Sequence, residues 1–93
     1  MKRQQTMSEK VDEYVAHRRS MGYSLSITAS ELQRFAHHAD STGHQGPLTT
    51  ELALSWARLA ANRTLLYQAR RVEMVRTFAR YLAAFEAGTQ IPP

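Results

Sequence analysis

Along residues 68–85, Val72, Val75, Phe78, Ala79, Leu82 and Phe85 recur at the spacing of one helical face. That stripe commits the segment to a helix with one side built for burial. The same stretch carries Arg70, Arg71, Arg76 and Arg80 against a single acid, Glu73. A helix packed on one face and densely positive elsewhere can dock on phosphate. A merely solvated basic face is the competing reading.

Turn signals divide the rest of the chain into three further helical segments. No stretch alternates apolar and polar residues, and β-branched residues are sparse, so no strand is expected. The first helix is expected over residues 7–21. Thr6 and Glu9 have capping-box spacing, Gly22 follows the end, and Val11, Tyr14, Val15 and Met21 mark the inner side. The second opens at Ser24 or Thr28, turns Leu25, Leu32, Phe35, Ala36 and Ala39 inward, and stops at Gly43. Gly46-Pro47 breaks the chain. Thr49 or Thr50 then caps a third helix holding Leu52, Leu54, Trp56 and Leu59. Asn62 and Arg63 form the next break, and Thr64 caps the fourth helix. Over residues 65–87 that helix would be roughly 34 Å long, with Gly88 ending it. Pro92-Pro93 then reads as an extended, stiff segment, as though another domain follows.

Ninety-three residues, 43% of them apolar, suit a single folded domain with one modest core. The absence of cysteine excludes disulfides and thiolate metal sites and fits a reducing compartment. No apolar run approaches the ~20 residues of a membrane span, and the basic N-terminus lacks the apolar stretch of a signal peptide. A cytoplasmic location is the expectation. The net charge is +4, and arginine supplies ten of the twelve basic residues. Five of them lie between Arg63 and Arg80, which favours an anionic polymer as partner.

The order of four segments resembles a known family. They are Tyr14-x-x-x-Arg18-Arg-x-x-Gly22-Tyr-Ser, Leu32-x-x-Phe35, Gly46-Pro-Leu-Thr-Thr-Glu-Leu, and Ala69-Arg-Arg-Val-x-x-Val-Arg76-x-Phe-x-x-Tyr-Leu82. Together they are similar to the N-terminal core-binding domain of tyrosine recombinases, the phage-integrase and Xer-like family. The resemblance implies an all-α fold, a four-helix SAM-like orthogonal bundle over residues 7–88. Residues 1–6 would form a tail, and residues 89–93 would begin the linker to an absent catalytic domain. It further implies one half of a clamp on duplex DNA, with the second and fourth helices facing the major groove. The fragment would be monomeric, and the full-length protein would assemble on DNA as a tetramer. The family's catalytic arginine, lysine, His-x-x-Arg box and tyrosine nucleophile have no match here, so no catalysis and no cofactor are expected of this chain.

The resemblance places Tyr67, Arg70 and Met74 at groove-facing positions one turn apart, with Arg71 beside them. Met74 would be packed or touch a thymine methyl. On the second helix Ser24 reads as the cap and as a phosphate contact through the helix N-terminus. Ser26, Ile27, Ser30 and Arg34 lie beside or opposite the Leu32/Phe35 stripe, where small side chains permit close approach to DNA. Ordinary helix surface is the alternative. Arg76 and Arg80 pair with Glu73 or other acids, or touch phosphate. Arg18 and Arg19 complement the C-terminal end of the first helix. Adjacent His37 and His38 point about 100° apart and make no metal site. Trp56 reads as core, and Tyr23 as packed at the helix junction.

Two functions therefore compete: a DNA-binding domain of a site-specific recombinase, and a helical protein-interaction module that meets an acidic partner. An enzyme in its own right is disfavoured, because the sequence holds no paired carboxylates, no Ser/His/Asp set and no glycine-rich phosphate loop.

Overall fold

The computed structural model describes residues 5–60 and 62–93. Among them the secondary structure is all α: α1 (Met7–Ser20), α2 (Ser26–Ser41), α3 (Thr50–Arg58) and α4 (Leu65–Ala83). The four-helix, strand-free expectation holds for these residues. The chain forms two compact units, Met1–Gly46 and Pro47–Pro93.

In the first unit α1 and α2 pack on each other. Thr6 caps α1: its hydroxyl accepts from Glu9 N, and the Glu9 carboxylate accepts from Thr6 N at 2.9 Å. A second carboxylate reaches the same helix end from α2. Asp40 accepts from Met7 N at 3.0 Å, Ser8 N at 3.2 Å and Ser8 Oγ at 2.7 Å. These bonds satisfy orphan donors of the first turn and place negative charge at the positive end of the helix dipole. Val11, Tyr14 and Val15 are buried on α1; Ala29, Leu32, Phe35, Ala36 and Ala39 are buried on α2. Burial holds the Tyr14 phenol above its ordinary pKa, with Arg18 pulling the other way. Lys10 is buried too, its ammonium donating to Gly46 O at 3.2 Å.

The start of α2 departs from expectation. Its cap is Leu25, in the left-handed region at φ 54° and ψ 29°, with no side-chain cap bond. Neither Ser24 nor Thr28 caps it. For a non-glycine residue this conformation costs roughly 1–2 kcal/mol. The preceding loop is tied down instead by α1: Arg19 Nε donates to Ser24 O at 3.1 Å, and the Arg18 guanidinium lies 4.2 Å from the Tyr23 ring centroid. Met21 and Tyr23 are exposed, contrary to the packed positions expected of them.

In the second unit α3 packs against α4. Thr49 and Thr64 cap the two helices, each hydroxyl accepting the backbone N–H three residues on, at 3.1 Å. Val75, Phe78, Ala79 and Leu82 form the buried stripe of α4, while Leu48, Leu52, Ala53, Trp56 and Ala57 are buried in and before α3. Leu59 is exposed, and so are Leu65 and Leu66 at the start of α4.

Helix α4 ends at Ala83, four residues before the expected end, and Phe85 is exposed although it continues the apolar spacing. The physical reason is a reversal of the chain. Gly88 takes φ 89°, and a Cβ there would sit 3.3 Å from the Pro47 side chain. Beyond it Gln90 N donates to Leu48 O, and Gln90 Oε1 accepts from Thr50 N, both at 2.9 Å. Pro92 is fully buried. Arg76 donates from Nε to Pro92 O at 3.0 Å and from Nη2 to Pro93 O at 2.7 Å.

Candidate nucleic-acid interface

The candidate residues fall on two helix faces, one in each unit. At 100° per residue, Ser26, Ile27, Ser30 and Arg34 lie opposite the buried Leu32, Phe35, Ala36 and Ala39. All four are exposed, as is Ser24. The face is small and polar around Ile27, which is 75% exposed. Its one cation is partly neutralised, since Arg34 Nη1 meets the Glu31 carboxylate at 3.0 Å. Glu31 itself is nearly buried. A surface of this kind permits close approach by its shape and contributes little net positive charge.

The face on α4 differs in chemistry. Tyr67, Arg70, Met74, Thr77 and Tyr81 follow three- and four-residue steps along one flank of the buried stripe, and none of them is acidic. Arg70 and Thr77 are exposed; Tyr67, Met74 and Tyr81 are half-buried. The exposed Arg70 side chain makes no hydrogen bond or ion pair among the described residues, so its donors face solvent. Met74 matches a partly packed apolar position beside it.

Arg71 behaves unlike its neighbour. It is half-buried, not on the exposed side, and its guanidinium lies 4.2 Å from the Trp56 ring centroid and 5.2 Å from that of Tyr67. Nη1 also donates to Trp56 O at 3.2 Å. These contacts tie α4 to the end of α3. Arg76 is similarly engaged with the carbonyls of Pro92 and Pro93, in place of the acid or phosphate partners expected of it.

Sequence reasoning passed over Arg63. Its guanidinium lies 4.4 Å from the Tyr67 centroid, so the half-buried ring has two arginines within cation–π range. The signal was present: Arg63, Tyr67 and Arg71 are spaced by four, and Trp56 precedes them.

Charge is concentrated in this unit. Residues 47–93 carry six arginines and three acids, whereas residues 1–46 are nearly balanced. Between Glu51 and Glu73 there is no acid at all, and Arg58, Arg63, Arg70 and Arg71 fall in that gap. A run of arginines with no acid in the sequence between them raises the local potential and attracts anions.

Among the described residues no three His, Cys, Asp or Glu side chains converge as metal ligands. Among the described residues no helix is long and apolar enough to cross a membrane.

Two proteins of Sinorhizobium fredii (strain NBRC 101917 / NGR234) are similar to the chain, both provisionally named as integrase/recombinase. The y4rB protein is 42% identical over 90 residues, covering 95% of this chain and 28% of its own length. The y4rE protein is 31% identical over 84 residues, covering 90% of this chain and 27% of its own length. The chain thus spans little more than a quarter of the relatives it matches. No family model matches it. No solved structure matches it either.

Proposed function

We propose that this chain is the DNA-binding, core-binding-type module of a site-specific integrase or recombinase. It engages duplex DNA through α2 and α4, and residues 89–93 lead toward a catalytic domain. The observation that carries this reading is the acid-free run between Glu51 and Glu73, with four arginines in it. The exposed Arg70 on the flank shared by Tyr67 and Met74 supports it. The similarity to two proteins named as integrase/recombinase agrees with it. On this reading Arg70 reaches phosphate or a base edge, Met74 offers an apolar contact, and Ser24, Ser26, Ile27, Ser30 and Arg34 form a close-fitting second contact. Arg71 serves mainly by holding α4 against Trp56. Cleavage and rejoining belong to the catalytic part of the whole protein, which would assemble as a tetramer on its site in the cytoplasm.

Titrating the chain with duplex DNA at several salt concentrations tests this. Half a clamp binds weakly, so the expected affinity is roughly micromolar or weaker at physiological salt, with log affinity falling linearly in log salt. Arg70→Ala weakens binding, because its donors contact phosphate or a base edge. A folded chain that ignores duplex DNA but binds an acidic protein with a shallow salt dependence would establish the interaction-module reading instead.

A further inference from the structure

The stack of side chains around Tyr67 carries an inference about how DNA is held, and it rests on the duplex-DNA reading above. Trp56, Arg71, Tyr67 and Arg63 succeed one another as ring, cation, ring, cation, at 4.2, 5.2 and 4.4 Å. The inner end is fixed, because Trp56 is buried and its carbonyl accepts from Arg71. The outer end is exposed: Arg63 lies in the turn before α4 and makes no side-chain hydrogen bond or ion pair among the described residues.

We propose that Arg63 is a phosphate contact and that Tyr67 is its positioning residue. A free arginine side chain loses rotamer entropy when it is immobilised on a ligand. Stacking on the half-buried Tyr67 ring removes part of that loss in advance. With the guanidinium 4.4 Å from the ring centroid and no side-chain hydrogen bond to Arg63 among the described residues, its N–H donors remain available for the fork geometry that matches two phosphate oxygens. No acid pairs with Arg63 among the described residues, and the sequence has none between Glu51 and Glu73 to compete for those donors. Arg71, held on the inner side, adds a second positive charge that a passing phosphate also feels. Tyr67 therefore acts through Arg63 in addition to any contact of its own.

The test uses the whole chain and a panel of unrelated duplexes over a range of salt. The variants are Arg63→Ala, Tyr67→Leu, the double variant, and Arg70→Ala for comparison, each checked for helical content and Trp56 fluorescence. Arg63→Ala should weaken binding by the same factor on every duplex and reduce the salt slope by about one. Tyr67→Leu should reproduce part of that loss and add little once Arg63 is gone, because the two act as one unit. Loss confined to particular sequences would make Arg63 a base reader and overturn the phosphate role. Fully additive losses would overturn the positioning role of Tyr67. An unchanged Arg63→Ala beside a weakened Arg70→Ala would remove Arg63 from the interface and leave the DNA reading standing. If neither variant changes binding, α4 and the turn before it do not face DNA and this proposal fails; a folded parent chain that binds no duplex at all fails the DNA reading itself.

Discussion

Replacing Arg71 by alanine separates a structural arginine from an exposed one. The sequence alone suggests that Arg70 and Arg71 can both be removed without harm to the fold, since alanine is the better helix former. The geometry around Trp56 predicts otherwise. Arg71→Ala removes a guanidinium 4.2 Å from the Trp56 ring centroid and a 3.2 Å hydrogen bond to the Trp56 carbonyl. A partly desolvated cation–π contact contributes about 0.5–2 kcal/mol. A hydrogen bond from a charged donor contributes about 1.5–3 kcal/mol when well shielded, and less at a half-buried site. The gain in helix propensity offsets only a few tenths of a kcal/mol. A net loss of about 2 kcal/mol follows, which for a chain of this length lowers Tm by roughly 8–16 °C. Arg70→Ala, by contrast, should stay within about 0.5 kcal/mol of the parent. Trp56 is the sole tryptophan, so its fluorescence reports directly on the contact during urea unfolding, with circular dichroism as the independent probe. Equal urea midpoints for the two variants would refute the assignment of Arg71 as a structural residue.

Two further expectations concern the first unit. Asp40→Ala strips the N-terminus of α1 of an acceptor for two backbone N–H groups and the Ser8 hydroxyl, and should cost about 1–2 kcal/mol in urea melts, with Asp40→Asn losing less. Tyr14 gives a pH dependence: its folded pKa is raised, so its contribution to stability is intact below the ordinary phenol value of about 10 and fades as pH climbs through the folded value. Tyr14→Phe should therefore show a shallower alkaline loss of stability than the parent, and an identical loss would mean that the phenol is not the group responsible.

Local chemistry was legible in the sequence, and long-range chemistry was not. Thr6 with Glu9, Thr49 and Thr64 mark helix starts by contacts three residues long, so their spacing alone locates α1, α3 and α4. The start of α2 has no such signature. Leu25 is held left-handed by a loop whose ties come from Arg18 and Arg19 on the preceding helix. The end of α4 was overextended because Phe85 keeps the apolar period. What stops the helix is the return of Gln90 to Leu48 and Thr50, about forty residues away. The α4 candidate face came from the family resemblance and the α2 face from its position beside or opposite the Leu32/Phe35 stripe, but the separate fates of Arg70 and Arg71 followed from neither. A guanidinium reaches partners across a turn or between helices, and adjacent residues on a helix point about 100° apart.

That distinction changes how the positive charge of the chain should be read. Arginine count suggests six contacts from residues 47–93. Arg71 is folded onto Trp56, and Arg76 is spent on the carbonyls of Pro92 and Pro93. Arg58, Arg63, Arg70 and Arg80 are the exposed remainder. The two engaged arginines still contribute to the field that draws an anion in, because burial against a ring or a carbonyl does not cancel charge. They do not offer donors for direct contact as the other four do. Long-range attraction and short-range grip thus reside in overlapping but different sets of residues. The salt dependence of binding reports mainly the second set, since it counts the counterions displaced at the surface. On α2 the balance is reversed: Arg34 is held by Glu31, and the face offers hydroxyls and Ile27 in place of free cations. On the proposed DNA-binding reading, α4 and the turn before it would supply most of the electrostatic grip, and α2 would contribute mainly through shape.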